Sequence, residues 1–230
     1  MNHDKTSIRE SLGDLLKADT QAGEELRRYT TDVLLRLARS GAVHLESGSA
    51  LPLPDDLLET VQARPKPLIN PGPNWTDTGP FRIAMAGSVV GSNKGPAGFA
   101  AIITNAEGAE KEVTNWYGGA SSQEADVRAF IMALEQIPAG AAAEVFTGNR
   151  TTARAFNEWV PAWKNMGWRN TSGQQLAGGP LWRWADVLAA ERTITVSYVA
   201  KGEASSASRR AALLAQLALE RAMTIEGTAR

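Results

Sequence analysis

The chain is 230 residues long, 43% hydrophobic and 21% charged, with a formal net charge of -1 and no cysteine, so neither a disulfide framework nor a thiolate metal site is open to it. Its two histidines, His3 and His44, both lie in the first fifth, which removes imidazole chemistry from everything after them. The near-neutral charge excludes a strongly basic nucleic-acid binder, no apolar run approaches a membrane span, and the start lacks a signal-peptide pattern, so the cytoplasm is the expected compartment.

Ile8, Leu12, Leu15 and Leu16 recur at helical spacing, and a second such pattern runs from a cap at Asp19 or Thr20 through Leu26, Tyr29, Val33, Leu34 and Leu37 to a stop at Gly41. A short third helix is expected near Asp55, where Leu57, Leu58 and Val61 either close a small bundle or dock on the rest of the chain. Residues 1–63 therefore read as a helical N-terminal region. Pro65, Pro67, Pro71, Pro73 and Pro80, with Gly72 and Gly79 among them, predict a stiff, extended linker over 64–80. Charge is mildly acidic before residue 79 and mildly basic after it.

From Phe81 the period changes. Strands are expected near 81–90, 97–105 and 110–117, with the turn chemistry of Gly91 to Pro96 between the first two. A helix follows over about 123–137, carrying Val127, Phe130, Ile131, Leu134 and Ile137 on one face and ending at Pro138 and Gly140. A short strand at Ala143–Gly148, helical pieces near 150–164 and 180–191, a strand at Thr193–Val199 and a closing helix from Ala204 to Met223 complete the body over 81–223, before a tail at 224–230. The result is an α/β fold with a five-stranded mixed sheet flanked by helices.

This order resembles that of the type 1 ribonuclease H family, and the residues extend the likeness. Gly87 and Ser88 stand where that family ends its first strand in Asp-Gly-Ser, and Gly98 and Phe99 where it has a Gly-aromatic return strand. Ser121, Ser122 and Gln123 match its cluster of small residues and Asn. Trp159, Trp163, Gly167, Trp168, Leu181 and Trp182 match its tryptophan-rich handle, and Lys201-Gly202 its Lys-Gly.

The resemblance implies two-metal hydrolysis, in which Mg²⁺ ions about 3.5 to 4 Å apart are held by converging carboxylates. The four matching positions here are Ala86, Asp126, Gly148 and Ala212, the last falling on Leu213 if the register slips by one. One carboxylate of four remains, and Glu203 stands where a loop histidine is expected. The expectation is a ribonuclease H-like pseudonuclease without catalytic residues, metal or cofactor.

Loss of the acids does not by itself abolish binding, since phosphate contacts supply most of the affinity. Ser88, Asn93, Lys94, Ser122, Gln123, Asn149, Arg150 and Lys201 sit at turns or helix starts where amide donors are also free, and Lys164 and Arg169 lie in the handle. Weak binding of an RNA/DNA hybrid or structured duplex is the first reading. A protein-interaction or scaffold domain is the second, with the N-terminal helices docking a partner or self-associating. A metal-dependent nuclease whose site has moved, using acids such as Glu124 or Glu203, is the third.

Overall fold

The computed structural model describes residues 67–91 and 94–228; the helices expected before residue 64, and Asn93, lie outside them. Six strands form one mixed sheet in the order β1-β4-β3-β2-β5-β6. They are β1 (Leu68–Pro71), β2 (Phe81–Val89), β3 (Gly95–Thr104), β4 (Glu110–Ala120), β5 (Ala142–Thr147) and β6 (Thr193–Tyr198). The pairs β1/β4, β4/β3 and β3/β2 are antiparallel, whereas β2/β5 and β5/β6 are parallel.

The five expected strands are present, and the sixth comes from the proline-rich stretch. Leu68–Pro71 pairs with β4, Ile69 opposite Val113 and Pro71 opposite Lys111, and the Gly72 N–H continues the ladder to the Glu110 carbonyl at 2.8 Å. Because successive residues of a strand face opposite edges, Pro71 turns its nitrogen to the side away from β4, where no described strand pairs and the missing N–H leaves no ladder bond unmade. Proline density marks this stretch as a linker in the sequence, yet an outermost strand tolerates the residue.

The helices are α1 (Ser122–Leu134), α2 (Arg150–Arg154), α3 (Val160–Asn165), α4 (Gly179–Ala190) and α5 (Ser206–Thr228), with a π-helical turn at Ala155–Trp159 joining α2 to α3 and a 3₁₀ turn at Lys201–Glu203 before α5. The closing helix runs past the expected end at Met223, since no proline or glycine intervenes before Gly227. A capping box opens α1: the Ser121 hydroxyl accepts from the Glu124 N–H at 3.3 Å, and the Glu124 carboxylate accepts from the Ser121 N–H at 2.8 Å.

On one face of the sheet, Phe81, Ile83 and Met85 of β2 pack with Val127, Phe130, Ile131 and Leu134 of α1 and Leu181, Trp182 and Leu188 of α4. Phe130, Phe156, Trp182, Trp163 and Trp159 form a continuous chain of rings with successive centroids 4.1, 5.0, 5.4 and 5.9 Å apart. The handle tryptophans are thus packing residues.

The other face is covered by α5 through a thinner layer of Ala84, Ile102 and Ala211, with Ala86, Ala207 and Leu214 at its margin. Two glycines permit the close approach of a helix to each face. A Cβ on Gly87 would stand 2.7 Å from the Cβ of Ala125 in α1, and one on Gly98 would stand 2.1 Å from the Ala215 carbonyl oxygen in α5.

Candidate functional site

The parallel strands β2, β5 and β6 bring their carboxyl ends to one border of the sheet. In open α/β sheets ligands bind at such a border, where strand order reverses. Ala86 lies near the end of β2, half-buried against the alanine layer beneath α5. Gly148 follows β5 directly, and a Cβ built there meets nothing within 4 Å. Ala212 is exposed on α5 beside the fully buried Ala211.

Asp126 occupies the middle, on the second turn of α1, and is only 4% exposed. Its Oδ1 accepts from the Gly87 N–H at 2.8 Å. Its Oδ2 accepts from Asn149 Nδ2 at 2.7 Å and from the Thr152 hydroxyl at 2.9 Å. Burial pushes its pKa up to about 6, outweighing the hydrogen bonds from Thr152, Asn149 and Gly87, which act in the opposite direction.

The donors are themselves fixed. Asn149 caps α2, its Oδ1 accepting from the N–H groups of Thr151 and Thr152 at 3.0 and 3.3 Å, so the amide can turn only its nitrogen toward Asp126. The Asn149 N–H is in turn held by the Thr147 hydroxyl at 3.1 Å. Thr152 is fully buried.

This donor set does not fit a pair of Mg²⁺ ions. Hard cations require several oxygen ligands, and of Ala86, Asp126, Gly148 and Ala212 only Asp126 is a carboxylate, already facing three protein donors. Glu124 is engaged elsewhere, for it closes the capping box and pairs with Lys94 at 2.8 Å. Burial alone would raise its pKa, but the hydrogen bonds from Lys94 and Ser121 and the lysine charge bring it below the ordinary value. Glu203 is exposed in the 3₁₀ turn, and among the described residues no group of three or more His, Asp or Glu side chains converges.

The residues expected to touch nucleic acid divide by location. Lys94, Ser122 and half-buried Gln123 gather at the start of α1, Lys94 through its bond to Glu124; the Gln123 Nε2 is buried with no hydrogen-bond partner. Ser88 is half-buried on β2 opposite Gly98. Arg150 lies over the Tyr198 ring, 4.9 Å from its centroid, and Lys201 is exposed just beyond β6. Two others belong to the handle, with Lys164 paired to Asp186 at 3.0 Å and Arg169 donating to the Gly173 carbonyl at 2.9 Å. Asn149 differs from the expectation of a free turn donor: its amide points inward at Asp126. Sequence reading passed over Thr152 and Tyr198; the spacing of Asn149 and Thr152 across one helical turn was the available signal for the first.

The sequence model of the RNase H family matches residues 83–219. The chain belongs to the RNase H family. The ribonuclease H of Thiobacillus denitrificans is 28% identical over 123 residues, covering 54% of this chain and 82% of that protein. That of Methylorubrum extorquens is 31% identical over 150 residues, 64% of each chain. Among solved structures, LC9-RNase H1, a type 1 RNase H with the type 2 active-site motif, superposes with a TM-score of 0.55 at 17% identity, over 62% of this chain and 72% of that one. The foamy viral protease-reverse transcriptase in complex with an RNA/DNA hybrid gives 0.51 at 19% identity, over 61% of this chain and 20% of that one. Both likenesses concern the RNase H fold. None of the described helices is long and apolar enough to cross a membrane.

Proposed function

We propose that this RNase H family member is a non-hydrolysing cytoplasmic module that binds an RNA/DNA hybrid or structured duplex, weakly, across the border formed by the carboxyl ends of β2, β5 and β6. The observation that carries the reading is Asp126, the one acid left of four, whose two oxygens face the Gly87 N–H, the Asn149 amide and the Thr152 hydroxyl. Family membership supports nucleic acid as the ligand, as does the hybrid-bound state of the foamy viral relative. Losing three carboxylates also removes repulsion toward phosphate. Lys94, Ser122, Gln123, Arg150 and Lys201 are the contacts expected, with shape and 2′-hydroxyl recognition supplying the preference for a hybrid. Affinity is low because few cations face the border and Lys94 is shared with Glu124.

The test is a titration of hybrid, DNA duplex and single strands, with Mg²⁺ and then Mn²⁺, at low and moderate salt, reading binding and cleavage together. Binding without cleavage, weakening with salt, is the expected result. Cleavage abolished by Asp126→Asn would overturn the reading.

A second reading, a protein-interaction domain, is favoured by one feature. A groove of about 560 Å³ opens between β1, β4 and α5, lined by Leu68, Trp116 and Leu217 among others. Leu68, Leu217 and the nearby Leu213 are 59%, 43% and 56% exposed. Absence of hybrid binding at low salt would transfer preference to this surface.

A further inference from the structure

The misfit between Asp126 and a metal pair raises the question of what holds the centre together. In a carboxylate cage the acids repel one another until cations lie between them, so the ions do structural as well as chemical service. Here that repulsion is gone. Asp126 on α1 instead receives donors from the end of β2, from the corner after β5 and from the first turn of α2.

Each donor is unable to turn away. Gly87 is seated against Ala125, where not even a methyl group fits. The Asn149 amide is oriented by the α2 cap, and Thr152 is enclosed. A buried carboxylate with three fixed donors is a joint, linking three elements through one side chain.

We propose that this hydrogen-bonded clasp has taken over the structural part of the metal ions: the chain holds its RNase H border in shape without a divalent cation, and what it binds there it binds without one. Asp126, Asn149 and Thr152 are positioning residues in this scheme. The part concerning nucleic acid rests on the reading given under Proposed function, whereas the part concerning the clasp does not.

The experiment is thermal unfolding of the full chain in EDTA, in Mg²⁺ and in Mn²⁺, beside hybrid binding in the same buffers. The wild type is expected to melt at the same temperature in all three. Thr152→Val, nearly isosteric but without the hydroxyl, is expected to melt lower by roughly 2–6 °C, and Thr152→Ser to recover much of that loss. Asn149→Ala combined with Thr152→Val should lose less than the two separate losses added, because both act on one carboxylate.

A saturable rise in wild-type melting temperature with Mg²⁺ or Mn²⁺ would overturn the clasp, and so would Thr152→Val melting with the wild type. Hybrid affinity equal in EDTA and Mg²⁺ supports the binding part, and affinity that requires Mg²⁺ overturns it. If the hybrid binds under no condition, the proposed function fails while the melting data still decide the clasp.

Discussion

Asn149 Nδ2 stands 2.7 Å from Asp126 Oδ2, so the residue following Gly148 donates a hydrogen bond to the buried Asp126 carboxyl group. The resemblance drawn from the sequence implies an acid at the position of Gly148, where a carboxylate would attract cations. Gly148 itself brings no side chain to this border, and the residue after it presents a neutral amide donor to the buried Asp126 carboxyl group.

The ionisation of Asp126 should be visible in stability. The folded chain holds the proton up to about pH 6, whereas an ordinary aspartate releases it near 3.8. Between those values the folded state binds more protons than the unfolded state, so this group's stabilisation is full below the lower value and is lost as pH rises through the upper one. The loss is on the order of 3 kcal/mol. Urea unfolding across that window is expected to show it, and Asp126→Asn should remove this fall in stability with rising pH; an equal slope in both proteins would contradict the assignment.

Gly87→Ala and Gly148→Ala should differ sharply. The first places a methyl group 2.7 Å from Ala125, and the second meets open space. We expect Gly87→Ala to cost at least 1–3 kcal/mol by overpacking, and Gly148→Ala to stay within about 0.5 kcal/mol. Denaturant midpoints of the two variants, measured side by side, check this.

Lys94 and Lys201 are the cations whose removal should alter hybrid binding with little effect on the fold. The Lys94–Glu124 pair is exposed on the lysine side, and such pairs contribute at most about 1 kcal/mol. Each Lys→Ala change is expected to reduce the salt slope of hybrid binding by about 1 if the lysine neutralises a phosphate. An unchanged slope in both variants would remove them from the interface.

The handle tryptophans should behave as core. Trp182, 3% exposed between Phe156 and Trp163, is expected to cost about 3–5 kcal/mol on replacement by Ala. Trp163→Phe should keep the ring contact and leave hybrid affinity as it was. A fall in affinity without a fall in stability would show base stacking instead.

Much of the fold can be read directly from the chain. The period of two in β4, the Ser121-x-x-Glu124 cap and the apolar residues of α1 each report a local preference, and each is present. The outer strand β1 is hidden because its four residues carry no period and end in a proline; its pairing is decided by β4. Asp126 is hidden for a different reason. Its donors stand 39, 23 and 26 residues away, and only the completed sheet brings them to one carboxylate. The resemblance implies that three of four acids are replaced, but whether Asp126 is idle or employed depends on those distant partners. Asn149 shows the same limit: the turn that suggests a free amide also aims it inward.

Pro71 has a consequence for the protein at high concentration. A sheet whose border offers a complete row of amides can serve as a template for another chain, and two exposed apolar residues, Leu68 and Ile69, would make such a seam attractive. With no hydrogen on the Pro71 nitrogen, the row is interrupted where a second strand would need it. Growth of the sheet from molecule to molecule is discouraged at the same residue that disguises the strand in the sequence, leaving association to side chains, which are easier to regulate and to reverse.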